Sequence, residues 1–144
     1  MRRIFFLGLD SAPPKIVYDN YGVELNNIRE IVEESERYIL RTCYPPITIP
    51  AWMVMFTGKS PGELGIYGFR HRKIGGIEGD YIVNSNHVAY PTLWETLSRK
   101  GYNVGIIGVP PTYPPKPVKG FMISDFTTPG PKKLYMATLA EEGN

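Results

Sequence analysis

Apolar runs alternate along this chain with segments whose apolar residues recur at helical spacing. Residues 4–9 form an apolar run that ends at Asp10, a pattern typical of a strand buried inside a parallel sheet. Ile28, Ile31 and Val32 share one face of a helix predicted over residues 26–40, and residues 37–44 predict a second strand. The order strand–helix–strand indicates a right-handed parallel crossover.

The rest of the chain continues this alternation. An apolar helix is predicted from Pro50 to residue 57, ending at Gly58, and another over residues 91–100, ending at Gly101. Strands are predicted over residues 80–83, 103–109 and 120–124, and residues 110–119 form a proline-rich loop. We therefore predict an α/β fold with a mostly parallel sheet, strands at 3–9, 37–44, 103–109 and 120–124, and helices on both faces. Residues 127–144 show no regular pattern and are predicted as a tail.

The composition excludes several classes of function but does not identify one. The 144 residues suit one domain, and the net charge of +2 gives no reason to expect a nucleic-acid polymer or a membrane as partner. Cys43 is the single cysteine, so no intrachain disulfide is possible, and we interpret it as a buried, inert thiol. With no secretory signal and no membrane-length apolar stretch, we expect a cytoplasmic location. The absence of glutamine suggests a thermophilic source, an interpretation that seven asparagines oppose.

Thr48 is the first candidate for chemistry. It lies two residues before Pro50, which can open a helix, and the N–H groups of a helix start attract an anion. A threonine held there could attack a phosphoryl or sulfuryl centre. The alternative is that Thr48 only caps the helix.

Asp10 is the second candidate. A carboxylate just past a central strand lies at the carboxyl edge of the sheet, where open α/β sheets bind ligands, so Asp10 could bind a metal. The alternative is an Asx-turn, because the residues from Asp10 to Pro14 are also of the types that favour turns.

Five segments together resemble type I phosphodiesterases/nucleotide pyrophosphatases, a family of the alkaline phosphatase superfamily. They are residues 8–14 (GLDSAPP), 45–52 (PPITIPAW), 56–66 (FTGKSPGELGI), 93–97 (LWETL) and 109–115 (VPPTYPP). The resemblance implies an alkaline-phosphatase-like fold and metal-dependent hydrolysis of a small phosphate ester, which we expect to be a diester. It also implies that Thr48 is the nucleophile, forming a phospho-threonine, and that Asp10 and Thr48 bind the metal. We expect two zinc ions, with manganese or magnesium as alternatives.

The chain departs from this family in two respects. The nucleotide-cleaving branch has an asparagine about twenty residues past the nucleophile, where this chain has Gly68, Phe69 and Arg70. The family's remaining metal-binding Asp and His residues come later in a longer chain, so we expect residues 1–144 to be the amino-terminal part of a catalytic domain, incomplete and inactive alone. Two alternatives stay open: a non-catalytic fragment or interaction domain, and a sulfatase-type or phosphomutase-type member of the superfamily.

Other candidates are weaker. His71 and His87 lack the spacing of a zinc pair, and we interpret residues 70–72 as an exposed basic turn. Asp125 follows a predicted strand, and a turn role is the preferred interpretation. The sequence from Gly58 to Ser60 is not a P-loop, because Met53 stands where that motif needs glycine.

Overall fold

The computed structural model describes residues 3–19, 25–72, 79–130 and 137–139. The chain divides into two compact units, Met1–Arg41 and Thr42–Asn144. Within the described ranges, none of the helices is both long enough and apolar enough to cross a bilayer.

The first unit contains a π-helical turn, Lys15–Asp19, and one α-helix, α1, Asn26–Glu33. The predicted helix over residues 26–40 therefore exists but ends seven residues early. Glu33, Glu34 and Glu36 explain the early end, because carboxylates are unfavourable at the negative end of the helix dipole. Among the described residues of this unit, Val32 of α1 is the buried one.

The strands predicted at 3–9 and 37–44 are wrong, because neither segment has strand structure. Their side chains are exposed: Ile4 by 96% and Leu40 by 89%. A strand requires a neighbour to satisfy its backbone N–H and C=O groups. No strand in the described part of the chain pairs with either segment, so apolar sequence alone does not produce the predicted β structure.

The second unit begins with two helices, α2 (Thr48–Thr57) and α3 (Pro61–Leu64). The helix predicted over residues 50–57 is thus confirmed, with a start two residues earlier. It ends as predicted at Gly58, which has a φ of 67° and donates its N–H to the Val54 carbonyl at 2.9 Å. A left-handed residue of this kind is a common helix end because glycine adopts it without steric cost.

A β-hairpin, a 3₁₀ turn and a further α-helix follow. Strands β1 (Arg70–Arg72) and β2 (Asp80–Ile82) pair antiparallel, and the 3₁₀ turn Ser85–His87 comes next. Helix α4, Leu93–Arg99, confirms the prediction over residues 91–100. Gly101 follows it with a φ of 85°, also as predicted.

The larger sheet consists of β3 (Val104–Ile107), β4 (Gly120–Ile123) and β5 (Ala137–Leu139). The pair β3–β4 is parallel, which confirms the strands predicted at 103–109 and 120–124, and β5 joins β4 antiparallel. Strand β5 was not predicted, since residues 127–144 showed no pattern. The parallel part has two strands, fewer than the mostly parallel sheet that the sequence predicts.

One face of the parallel pair packs on the core of the second unit. Ile106 and Met122 are register partners, and both are buried. On the opposite face Ile107 is 67% exposed and Phe121 39% exposed, so the described helices do not cover both faces as predicted. The core joins residues of α2, α4, β3 and β4: Ile49, Met53, Phe56, Trp94, Ile106 and Met122, with Leu64, Ile66, Val83, Val88 and Val118.

Helices α3 and α4 each begin with a capping box. Ser60 and Thr92 accept the N–H of Glu63 and Glu95, whose carboxylates accept the N–H of the cap residue in return. The Ser60 N–H, followed by the Lys59 ammonium, lowers the pKa of Glu63 from 4.5 to about 2. Desolvation is the largest influence on Glu95 and raises its pKa, but the Thr92 N–H and hydroxyl together with Lys116 outweigh it, and the net pKa is lowered.

These two carboxylates predict an acid-sensitive fold. Because their pKa values are lower in the folded state, their contribution to stability is present above about pH 4.5 and is lost as the pH falls towards 2. Glu95→Gln should flatten the dependence of the melting temperature on pH between 6 and 3. Glu33→Gln, whose carboxylate lies 4.0 Å from Arg29 on exposed α1, is the control and should retain the wild-type dependence. Equal slopes for wild type and Glu95→Gln would contradict the prediction.

Candidate active site

Thr48 is the first residue of α2. The N-cap residue is Ile47, with extended backbone (φ −118°, ψ 146°) and no side-chain capping hydrogen bond. The first intrahelical bond runs from the Ala51 N–H to the Ile47 carbonyl at 3.0 Å. The N-cap position thus belongs to Ile47, and Thr48 is the first helical residue. A capping role for the Thr48 hydroxyl stays an alternative prediction.

The helix starts before Pro50 because a proline anywhere in the first turn breaks no intrahelical bond. Thr48 is consequently inside the first turn, and its side chain is half-buried. The N–H groups of a helix start and the macrodipole favour an anion, although Pro50 contributes no N–H here. The predicted position of Thr48 at a helix start is confirmed.

Asp10 belongs to the first unit and Thr48 to the second. Asp10 is exposed and lies in a turn with Ser11, whose φ is 58°, in keeping with the turn chemistry of this sequence. The expected convergence of the Asp10 carboxylate and the Thr48 hydroxyl on one metal, within roughly 4–5 Å of each other, stays a prediction.

The described residues contain no group of three or more His, Cys, Asp or Glu side chains placed to hold a metal ion. Asp10 and Thr48 nevertheless suit a divalent cation chemically, since both carry hard oxygen donors. A catalytic zinc site uses about three protein ligands, so these two residues can form only part of one.

His71 and His87 both contact the ring of Tyr81. The Tyr81 ring centroid is 5.8 Å from that of His71 and 4.7 Å from that of His87. His71 Nε2 accepts the Tyr67 N–H at 3.1 Å, and His87 Nδ1 accepts the Asn84 N–H at 3.0 Å. Each histidine therefore accepts one backbone N–H, His71 beside the hairpin and His87 in the 3₁₀ turn.

Residues 70–72 are strand β1, so the predicted basic turn is wrong. Arg70 and Arg72 face Ile82 and Asp80 across the hairpin, and both arginines are exposed. Cys43 is also less buried than predicted: it is half-buried, and its Sγ lies 3.4 Å from the Pro45 carbonyl oxygen. Lys59 Nζ forms an ion pair with Glu63 Oε1 at 3.0 Å.

Asp125 follows β4 and has no solvent exposure. Its Oδ2 accepts the N–H of Thr112 at 2.6 Å and the Thr112 hydroxyl at 3.2 Å, while Oδ1 accepts the N–H of Thr127 at 2.7 Å. The carboxylate therefore joins the proline-rich loop after β3 to the turn after β4. Its preferred interpretation as a turn residue is confirmed, but its partner Thr112 carried no signal in the sequence.

The turn after β4 contains two threonines with different hydrogen bonding. The Thr128 hydroxyl donates to the Asp125 carbonyl at 2.7 Å and lies 2.9 Å from Ser124 Oγ. Thr127 Oγ1 is inaccessible to solvent and has no hydrogen-bond partner among the residues that the structure describes. A buried hydroxyl without a partner is destabilising because it has lost its hydrogen bonds to water.

Thr127→Val should therefore keep or raise the free energy of unfolding, by about 0.5–1 kcal/mol. Thr128→Val, the same change one residue away, should lower it by about 1–2 kcal/mol because it removes two hydrogen bonds. Urea unfolding of both variants measures the difference. A larger loss for Thr127→Val than for Thr128→Val would show that the Thr127 hydroxyl has a partner in solution.

Comparison with known proteins identifies the family of this chain. The family model described as type I phosphodiesterase / nucleotide pyrophosphatase matches residues 4–139, which include Asp10, Thr48 and Asp125. Neither the curated proteins nor the solved structures gave a match. The match extends over nearly the whole sequence, and it is to the same family that the five sequence segments resemble. The chain therefore belongs to the type I phosphodiesterase/nucleotide pyrophosphatase family.

Proposed function

We propose that the protein hydrolyses a phosphate diester in a metal-dependent reaction with a covalent phospho-threonine intermediate at Thr48. The observation that carries this proposal is the position of Thr48 as the first residue of α2, within a chain of the type I phosphodiesterase family. A hydroxyl at a helix start lies where a phosphoryl group is electrostatically favoured. The substrate is a small phosphate ester.

The reaction has two steps at Thr48. In the first, Oγ1 gives its proton to water and bonds to phosphorus, and the bond from phosphorus to the leaving oxygen breaks; that oxygen takes a proton back from water and leaves as the alcohol, so no net proton is gained or lost. In the second, water attacks phosphorus, the bond to Oγ1 breaks, and Thr48 regains its proton as the phosphate monoester leaves. The positive end of the α2 dipole favours the phosphoryl oxygens in both steps.

Asp10 and Thr48 are the residues proposed to hold the divalent cation, zinc first, with manganese or magnesium as alternatives. When bound, such an ion makes the Thr48 hydroxyl more acidic and offsets the charge on the phosphoryl oxygens. Asp10 suits this role because a carboxylate offers hard oxygen ligands.

The test is hydrolysis of bis(4-nitrophenyl) phosphate by the product of the complete reading frame that encodes this chain. Turnover should disappear with a chelator and return with zinc, manganese or magnesium. Hydrolysis of 4-nitrophenyl sulfate alone would assign the protein to the sulfatase side of the superfamily, and phosphoryl migration within a phosphosugar would indicate a mutase. No turnover with any ester or metal would favour the non-catalytic alternative.

A further inference from the structure

An open groove lies against α4 in the second unit, and its volume is about 400 Å³. We call it the α4 groove. Its polar lining comes from the helix and from the proline-rich loop: Glu95, Ser98, Arg99 and Lys116. Grooves of roughly 300–1,000 Å³ are typical of sites for small molecules. The α4 groove is therefore large enough to hold one.

The part of the chain that forms the α4 groove is basic. Residues 88–124 contain one acidic residue, Glu95, and four basic residues, which are Arg99, Lys100, Lys116 and Lys119, so the net charge of this segment is +3. The whole chain has a net charge of +2, which means that positive charge is concentrated here. Such a concentration of positive charge attracts an anion.

Three side chains of the α4 groove can donate hydrogen bonds to such an anion. Arg99 Nε donates to the Glu95 carbonyl at 3.2 Å, a bond that positions the guanidinium along the helix and uses one of its N–H donors. Ser98 Oγ accepts the Lys119 N–H at 2.7 Å, so its hydroxyl proton can go to another acceptor. Lys116 adds an ammonium with several N–H donors. Because these side chains line one groove, they can bind the oxygens of one anion.

Glu95 is the carboxylate of the α4 groove, and both of its oxygens already have donors. Oε2 accepts the N–H and the hydroxyl of Thr92 at 2.7 and 2.8 Å, and Oε1 lies 3.5 Å from Lys116 Nζ. The Glu95 side chain is 19% exposed, less than that of Lys116 at 35%. A carboxylate paired in this way repels an incoming anion less than an unpaired one does.

The α4 groove lies at the carboxyl end of α2. Tyr90 lines the groove, and Lys59 Nζ is 5.0 Å from the centroid of its ring. Lys59 comes two residues after the end of α2, whereas Thr48 is the first residue of that helix. The ten residues of α2 span about 15 Å. A ligand in the α4 groove therefore binds near the end of α2 that is opposite to Thr48.

We propose that the α4 groove binds a small organic phosphate, at a site additional to Thr48. The phosphate group lies between Arg99 and Lys116, and the rest of the ligand contacts Tyr90 and Pro117. Phosphate suits these donors because a guanidinium can bind two of its oxygens at once and an ammonium can bind a third. Inorganic phosphate alone leaves most of the groove unfilled, which favours a ligand with an organic part.

Calorimetric titration with glycerol 3-phosphate tests the site on the product of the complete reading frame. A chelator in the buffer, and a parallel titration of Thr48→Ala, separate the α4 groove from a metal site at Thr48. We expect saturable binding under both conditions. The affinity should fall about tenfold in Arg99→Gln and in Lys116→Gln, because each change removes one charged donor. D-Glycerate, which has a carboxylate in place of the phosphate, should bind more weakly than glycerol 3-phosphate.

Lys100→Gln is the matched control. Lys100 follows Arg99 directly and is exposed, and the change removes the same charge outside the lining of the α4 groove. It should keep the wild-type affinity, with circular dichroism verifying the fold of each variant. An equal loss in Lys100→Gln and Arg99→Gln would indicate general attraction by positive charge and overturn the site. Absence of binding, unchanged affinity in Arg99→Gln, tighter binding of D-glycerate, or loss of binding in Thr48→Ala would overturn it as well.

Discussion

Replacing Thr48 by alanine should abolish metal-dependent hydrolysis of bis(4-nitrophenyl) phosphate, lowering kcat by at least about a thousandfold. The loss follows because alanine has no oxygen to form the covalent intermediate. The fold should survive, since Ile47 is the N-cap and alanine is the best helix former. Steady-state kinetics with circular dichroism on the same samples measures both effects, and Thr48→Ser should restore part of the activity.

Thr57→Ala provides the control at the other end of the same helix. The Thr57 hydroxyl donates to the Met53 carbonyl at 2.6 Å and accepts the Lys59 N–H at 3.2 Å. Its loss should cost about 1 kcal/mol of stability and leave kcat unchanged. Full metal-dependent turnover in Thr48→Ala would remove Thr48 from the mechanism.

The largest effect on stability is expected from Asp125→Ala. The change leaves the buried N–H of Thr112 and that of Thr127 without an acceptor. Each such group costs about 1–3 kcal/mol, and relief of the buried charge returns part of this. The expected loss is about 3 kcal/mol, or roughly 10 °C in melting temperature, by urea and thermal unfolding.

Asp80→Ala is the matched change at an exposed carboxylate, opposite Arg72 in the β1–β2 hairpin. A surface pair contributes little, so the variant should lie within about 0.5 kcal/mol of the wild type. A similar small effect for Asp125→Ala would mean that the buried carboxylate does not join the loop after β3 to the turn after β4.

The sequence predicted those elements whose signals are local. Helix α2 ends at Gly58 because that glycine adopts a φ of 67°, and α4 begins at the Thr92–Glu95 capping box just after Pro91. Strands β3 and β4 are short apolar segments that pair with each other. In each case the residues that define the element lie within it or next to it.

The predictions that failed depended on distant partners. Residues 4–9 carry the same apolar signal as β3, yet Phe5 is 89% exposed and the segment has no strand structure. Apolar content indicates what a segment can bury, whereas pairing depends on which strands lie beside it. The same limit explains why Asp125 was interpreted as a turn residue while its bond to Thr112, thirteen residues away, could not be predicted.

The candidate site was also predicted only where its signal is local. Prolines around Thr48 indicated a helix start, but not its first residue, since Pro50 is compatible with any position in the first turn. Asp10 was inferred from a strand that does not form, so its role depends on the family and on experiment.

Identification of the covalent intermediate tests the central claim most directly. The metal-loaded protein would be mixed with bis(4-nitrophenyl) phosphate, quenched with acid during turnover, and digested with trypsin for mass spectrometry. Cleavage after Arg41 and Lys59 yields the peptide of residues 42–59, whose threonines are Thr42, Thr48 and Thr57. We predict a 4-nitrophenyl phosphoryl adduct on Thr48. Turnover with no adduct, or with the adduct on Thr42 or Thr57, would contradict the proposed mechanism.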